Sequence, residues 1–191
     1  MIQSKVKDTF KELGINFNTD FNSSNNCLDL LICDNIKNYK KGLKNSLKIY
    51  KNFNFDTLIF KIDFIYNEDN SSNLENTITI LNRFIDICKL KKPIFMNKYL
   101  CETEDNILKE TIFFYWDLSK EKIKIKNLIK EILFLNNDGF IELTSSVFFI
   151  DTNNCILLNF YDDKIIKILS NNNDNFKKIY KKYKKLIINK N

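Results

Sequence analysis

The sequence predicts an α+β fold: a two-layer sandwich in which one twisted, mainly antiparallel sheet carries helices packed largely on one face. Three observations lead there. Runs of β-forming residues outnumber the amphipathic helical stretches and do not alternate strictly with them, which argues against a parallel sheet. Between residues 147 and 169 three short apolar runs are joined by tight polar turns, the pattern of an antiparallel meander. Each helical stretch carries one apolar stripe, as a helix resting on a sheet requires. With 191 residues and no flexible joint, residues 1–191 are expected to form a single α+β domain.

Taken in order, Ile2, Val6, Phe10 and Leu13 predict a short helix that stops at Gly14. An Asn/Ser-rich loop runs to Asn26, and Cys27 to Cys33 reads as a buried strand. Asp34 is positioned to cap the next helix, whose stripe is Ile36, Tyr39, Leu43, Leu47 and Tyr50, with lysines on the opposite face and Gly42 inside it. From Thr57 to Tyr66, Leu58, Phe60, Ile62 and Phe64 (or Ile65) alternate with Lys61 and Asp63, which predicts a long, central, half-exposed strand. Ser72-Asn73-Leu74-Glu75 has the form of a capping box ahead of the stripe Leu74, Ile78, Leu81, Ile85, Cys88. Residues 91–107 support no period and are expected to be an irregular connection after Pro93. Thr111 to Leu118 is dense in β-formers, and Ser119 is expected to cap a helix with Ile125, Leu128, Ile129, Ile132 and Leu133 inward, closed by Asp138-Gly139. The meander follows as Val147 to Ile150, Cys155 to Tyr161 and Lys164 to Leu169, and a last helix is expected from Asp174 to about Ile188.

Composition narrows the function. The chain has no histidine, which removes the commonest general base, the Ser-His-Asp and Cys-His triads, and most zinc and non-haem iron sites. Its three glycines are scattered, so no glycine-rich loop is present to cradle a phosphate. No cofactor is implied. Five cysteines without a C-x-x-C pair, four among apolar neighbours, read as free thiols, and the N-terminus lacks the apolar core of a secretory signal. The expected location is the cytosol. Asn, Lys and Ile are abundant throughout, the imprint of an A+T-rich coding sequence; the Asn runs then count as loop filler and the net charge of +6 as weak evidence for an acidic partner.

Three groups of residues are candidates for function. Asp162 and Asp163, with Asp117 and Asp151 if near, have the chemistry to hold a divalent cation for phosphodiester cleavage; the plainer reading is that Asp accepts backbone hydrogen bonds at a hairpin turn. The C-terminal lysines, Lys181 and Lys185 among them, make the last helix basic, which suits nucleic acid or an acidic protein and equally a solvated helix face. In Phe113-Phe114-Tyr115-Trp116, strand alternation puts Ile112, Phe114 and Trp116 in the core, leaving Phe113 and Tyr115 as either core or partner anchors.

The segment from Ser146 to Asp163, the strand Lys164 to Ser170 and Phe176 to Leu186 with its Ile179-Tyr180-Lys181-Lys182-Tyr183 core are similar to the C-terminal signature of a bacterial family called domain of unknown function 3885. The family's hairpin ends in Tyr-Asp-Asp-Arg-Gly; here Tyr161, Asp162 and Asp163 match, while Lys164 replaces Arg and Ile165 replaces Gly. The upstream order of elements fits the family loosely. The resemblance implies an interaction protein in the neighbourhood of toxin-neutralising immunity proteins, with another protein as partner; the residues themselves, with no run of about 18 apolar positions, lead us to expect no membrane partner and no small-molecule substrate. Metal-dependent phosphodiesterase activity through Asp162 and Asp163, and nucleic-acid binding through the last helix, are the rival readings.

Overall fold

The computed structural model describes residues 2–13, 26–34, 39–65, 71–91, 94–102, 108–133, 147–161 and 164–190. Among these residues the helices are α1 (Ile2–Glu12), α2 (Tyr39–Tyr50), α3 (Ser71–Cys88), α4 (Ile125–Leu133) and α5 (Asn173–Tyr183). Eight strands are β1 (Cys27–Leu31), β2 (Thr57–Ile65), β3 (Ile94–Glu102), β4 (Leu108–Asp117), β5 (Val147–Asp151), β6 (Ile156–Phe160), β7 (Ile165–Ser170) and β8 (Ile187–Lys190). The strands form one sheet in the order β3-β4-β2-β5-β6-β7-β1-β8, with every neighbouring pair antiparallel. This is the α+β sandwich the sequence predicts.

Four helices, α2 to α5, cover one face. Ile49, Phe84, Leu128, Ile129, Phe176 and Ile179 meet there the inward residues of the strands, such as Leu58, Phe60, Phe149, Leu158 and Ile168. Phe84 stacks on Phe60 with ring centroids 4.4 Å apart and lies 5.2 Å from Trp116. Gly42 lets α2 sit close to the sheet end: a Cβ there would stand 3.3 Å from Cys33 Sγ and 3.6 Å from Leu133 Cδ1. Among the described residues, the other face is covered by α1, whose Val6 and Phe10, with Leu13 just after it, pack in one cluster with Ile59, Phe113, Tyr115, Phe148, Ile150 and Leu157. Strands covered on both faces lose the clean alternation of a half-exposed strand, so β2, expected to be half-exposed, buries Leu58, Ile59 and Phe60 in succession.

Several expectations are corrected. Residues 94–102 are a strand, β3, within the stretch expected to be irregular; it is a sheet edge with a register shift between Phe95 and Asn97, and a bulge of that kind erases the period-two pattern. The last helix ends at Tyr183, and Ile187–Lys190 pairs with β1 as β8. Helical spacing fits both alternatives for so short a segment; the open edge of β1 decides between them. Ser119 does not cap α4. Its amide and hydroxyl donate to the Asp117 carboxylate in a turn, and α4 starts at Ile125. In α3, Leu81, Ile85 and Cys88 of the expected stripe meet the core together with the buried Phe84, whereas Ile78 is 47% exposed. Asp34 accepts from Lys41 Nζ at 2.8 Å, while α5 is capped by Asn172, whose side chain accepts from the amides of Asp174 and Asn175. Gly14, Ile36, Tyr66, Pro93 and the Asp138-Gly139 stop lie outside the described residues, as do the side chains of Ser72 and Glu75.

Candidate functional site

The sequence-predicted residues fall into three separate places. Phe113 and Tyr115 are buried, at 1% and 5% exposure, beneath α1 on the second face. Both rings are core, because β4 is covered on both sides.

Tyr161 and Lys164 stand where β6 passes into β7, with Asp162 and Asp163 between them outside the described residues. The Tyr161 amide donates to the Ile165 carbonyl at 3.1 Å, and the Lys164 carbonyl accepts from Ile32 at 2.8 Å, stitching this corner to the end of β1. The exposed Tyr161 ring lies over Lys167, whose Nζ is 3.9 Å from the ring centroid. Lys167 is 6% exposed and sits opposite Asp29 in the β1–β7 register. A cation over an aromatic face, with an oppositely charged residue across the ladder, is a stabilised arrangement, so Tyr161 has structural work at this corner.

Asp117 and Asp151, the carboxylates that the metal reading wanted near Asp162 and Asp163, are at the other end of the sheet. Asp151 pairs with Ile156, the first residue of β6, while Tyr161 follows its last. Five strand residues separate these ends, about 16 Å at strand rise. Each acid already has its own partners: Asp151 accepts from the Asn154 amide and Nδ2, at 3.0 and 2.8 Å, and Asp117 from Ser119 and from Lys120 Nζ at 3.0 Å. The Ser119 hydrogen bond is foremost in holding the Asp117 carboxyl below its usual pKa. Among the described residues no group of three or more Cys, Asp or Glu side chains is placed to hold a metal ion.

Lys181 and Lys185 belong to a larger feature. They project from α5 and the turn after it, and with Lys48, Lys182 and Lys184 they surround a cleft of about 510 Å3 floored by Ile49, Tyr183 and Leu186. At one end of the cleft the ends of α2 and α5 are linked: Asn52 Nδ2 donates to the Tyr183 hydroxyl at 2.6 Å, and also to the Lys48 carbonyl of its own segment at 2.7 Å. Burial raises the Tyr183 pKa, with the Asn52 hydrogen bond opposing. A second cavity runs along α2 past Lys40, Lys44, Lys48 and Lys51, and a third lies beside Asn52, Lys178 and Lys182. The three adjoin through shared residues and form one continuous basic face.

Charge is concentrated in the two segments that build this face, nine of whose lysines line the three cavities. Residues 39–52 and 173–190 contain twelve of the 30 Lys and Arg residues but only one of the 24 Asp and Glu residues, Asp174. These two segments therefore carry net +11, and the remainder of the chain net −5. Uniform lysine enrichment from base composition would not produce that split. Lys48, Lys181, Lys182, Lys184 and Lys185 are all exposed, and no carboxylate among the described residues pairs with them. Sequence reading found the α5 lysines and read those of α2 as an ordinary solvated face; the absence of acids from 39–52 was the available signal, but only the packing of α2 beside α5 joins the two sets.

The family model described as domain of unknown function (DUF3885) matches residues 2–191. No curated protein and no solved structure matches the chain. No helix among the described residues is long and apolar enough to cross a membrane.

Proposed function

This chain belongs to the DUF3885 family, a domain of unknown function, and from that premise we propose that it is a cytosolic protein-interaction protein whose α2/α5 face docks an acidic surface of a partner. The observation that carries this reading is the charge segregation: +11 on two adjoining segments of a chain that is otherwise net negative. Such a field steers a negatively charged partner, raises the rate of encounter and disfavours basic competitors. The protein acts by binding and not by turnover, with toxin neutralisation as the narrower form of the reading.

Protein is favoured over nucleic acid by the chemistry of the face. Its cations are all lysine, whereas bidentate recognition of phosphate and base edges favours arginine, and the chain's single arginine is Arg83 on α3. The aromatic rings along the face, Tyr183 and Phe53, are respectively buried as floor and half-buried against the core, so neither offers a fully exposed plane for base stacking.

The test is charge reversal. Lys48→Glu/Lys181→Glu/Lys185→Glu is expected to weaken binding to the host partner isolated by affinity capture by on the order of 100-fold, taking each rim contact as worth about 0.5 kcal/mol and reversal as doubling that. Lys5→Glu/Lys7→Glu/Lys11→Glu on α1 makes the same change in net charge on the opposite face and is expected to leave affinity within about threefold. Equal loss in both variants means that net charge, and not this face, governs binding, and sinks the proposal. For the narrower form, the neighbouring gene is expected to encode a protein that halts growth, and co-expression with this chain is expected to restore growth only with the intact basic face.

A further inference from the structure

On the outward side of α2, Lys40, Leu43, Lys44, Leu47, Lys48 and Lys51 recur at i, i+3, i+4, i+7, i+8 and i+11 and line one open cavity of about 580 Å3. That spacing places all six on one stripe of the helix. Leu43 and Leu47, one turn apart, touch the core beneath them yet are only half-buried, so part of their apolar surface stays open to the cavity. The four lysines beside them are exposed. A leucine seam bordered by lysines is one half of a helix–helix contact, in which apolar residues meet along the middle and opposite charges pair at the margins.

We propose that this stripe docks an amphipathic acidic helix of the partner, with the helix's apolar seam on Leu43 and Leu47 and its Glu or Asp margins toward Lys40, Lys44, Lys48 and Lys51. The proposal rests on the acidic-partner reading above and adds the shape of what is bound. Charge complementarity selects the occupant, since residues 39–52 contain no acid with which a second basic helix could pair. The twelve residues of α2 extend about 18 Å, so the contact takes about three turns of the partner helix. An unstructured acidic segment would satisfy the lysines and leave the seam in water. A nucleic acid would lay phosphate against the leucines.

Fluorescence anisotropy with labelled probes tests this on the full chain. The probes are a peptide of about 18 residues with leucines at helical spacing and glutamates beside them, the same residues shuffled to break the stripe, and an oligonucleotide of similar length. The striped peptide is expected to bind at least about tenfold more tightly than the shuffled one. Leu43→Ser/Leu47→Ser is expected to erase that margin and keep the weaker, salt-sensitive binding common to both peptides. Because these leucines also touch the core, the exposed pair Lys44→Glu/Lys51→Glu serves as a second variant, expected to weaken the striped peptide at least about tenfold without altering the melting temperature. Equal affinity for striped and shuffled peptides overturns the helix-docking inference and leaves the acidic-partner reading standing. Tighter binding of the oligonucleotide than of either peptide overturns both.

Discussion

The bond from Asn52 to Tyr183 spans 131 positions of sequence and joins the end of α2 to the end of α5, so it tests whether the basic face is built as described. Tyr183→Phe keeps the ring, which is 5% exposed and part of the core, and removes only the hydroxyl that accepts from Asn52 Nδ2 at 2.6 Å. A net hydrogen bond of this kind contributes about 1 kcal/mol, less where water can replace it, and the Asn52 side is exposed. The expected loss is therefore about 0.5–1 kcal/mol, or a fall in melting temperature of about 1–4 °C for a chain of this length. Asn52→Ala should cost more, because it also removes the donor to the Lys48 carbonyl. The pair is isolated by a double-mutant cycle of Asn52→Ala, Tyr183→Phe and the combination, measured by urea unfolding: a coupling of about 0.5–1 kcal/mol is expected. Additivity within about 0.2 kcal/mol would refute the reasoning, since it would mean that the two helix ends do not meet and the cleft between them is not formed.

Two further outcomes check the core and its thiols. Phe84→Ala removes a ring that is 1% exposed and stacked on Phe60, and is expected to cost about 3–5 kcal/mol by chemical denaturation, whereas Ile78→Ala on the same helix, at 47% exposure, should stay within about 0.5 kcal/mol; similar losses would mean that α3 is docked by another face. Burial is the main cause pushing the thiols up from 9.0, to about 11 for Cys27 and to about 12 for Cys88 and Cys155. The folded chain thus keeps protons that the unfolded chain releases, so this part of the stability is fully present below about pH 9 and is lost as pH rises through 11 to 12. Unfolding midpoints should fall over that range, and the three thiols should resist alkylation at pH 8 until denaturant is added; rapid labelling of the native protein would contradict the burial.

How much was legible varied from element to element for physical reasons. The meander from Val147 to Ser170 was readable because its turns lie close in sequence and its strands pair with their immediate neighbours. α2, α4 and α5 were readable from their stripes, although their ends were not. β3 and β8 escaped because they are edge strands: each is specified by the partner it pairs with, β4 for one and β1 for the other, and no local pattern records a partner. The readings of Phe113 and Tyr115 as either core or anchors turned on whether anything covers the second face, which alternation along one strand cannot reveal. α1, far from β4 in the sequence, covers it.

The amino-acid sequence by itself determined the class of fold, the family, the want of histidine and glycine-rich chemistry, and the total charge, because each of these is a property of composition or of a short window. Tertiary structure alone decided where that charge acts. Lys48 and Lys181 are 133 positions apart and become neighbours across one cleft only when the sheet brings α2 and α5 to the same face. The same packing sends Tyr161 to a corner on the other face, over Lys167. Electrostatic fields add through space, while a sequence records only order along the chain; the basic face is therefore a product of packing.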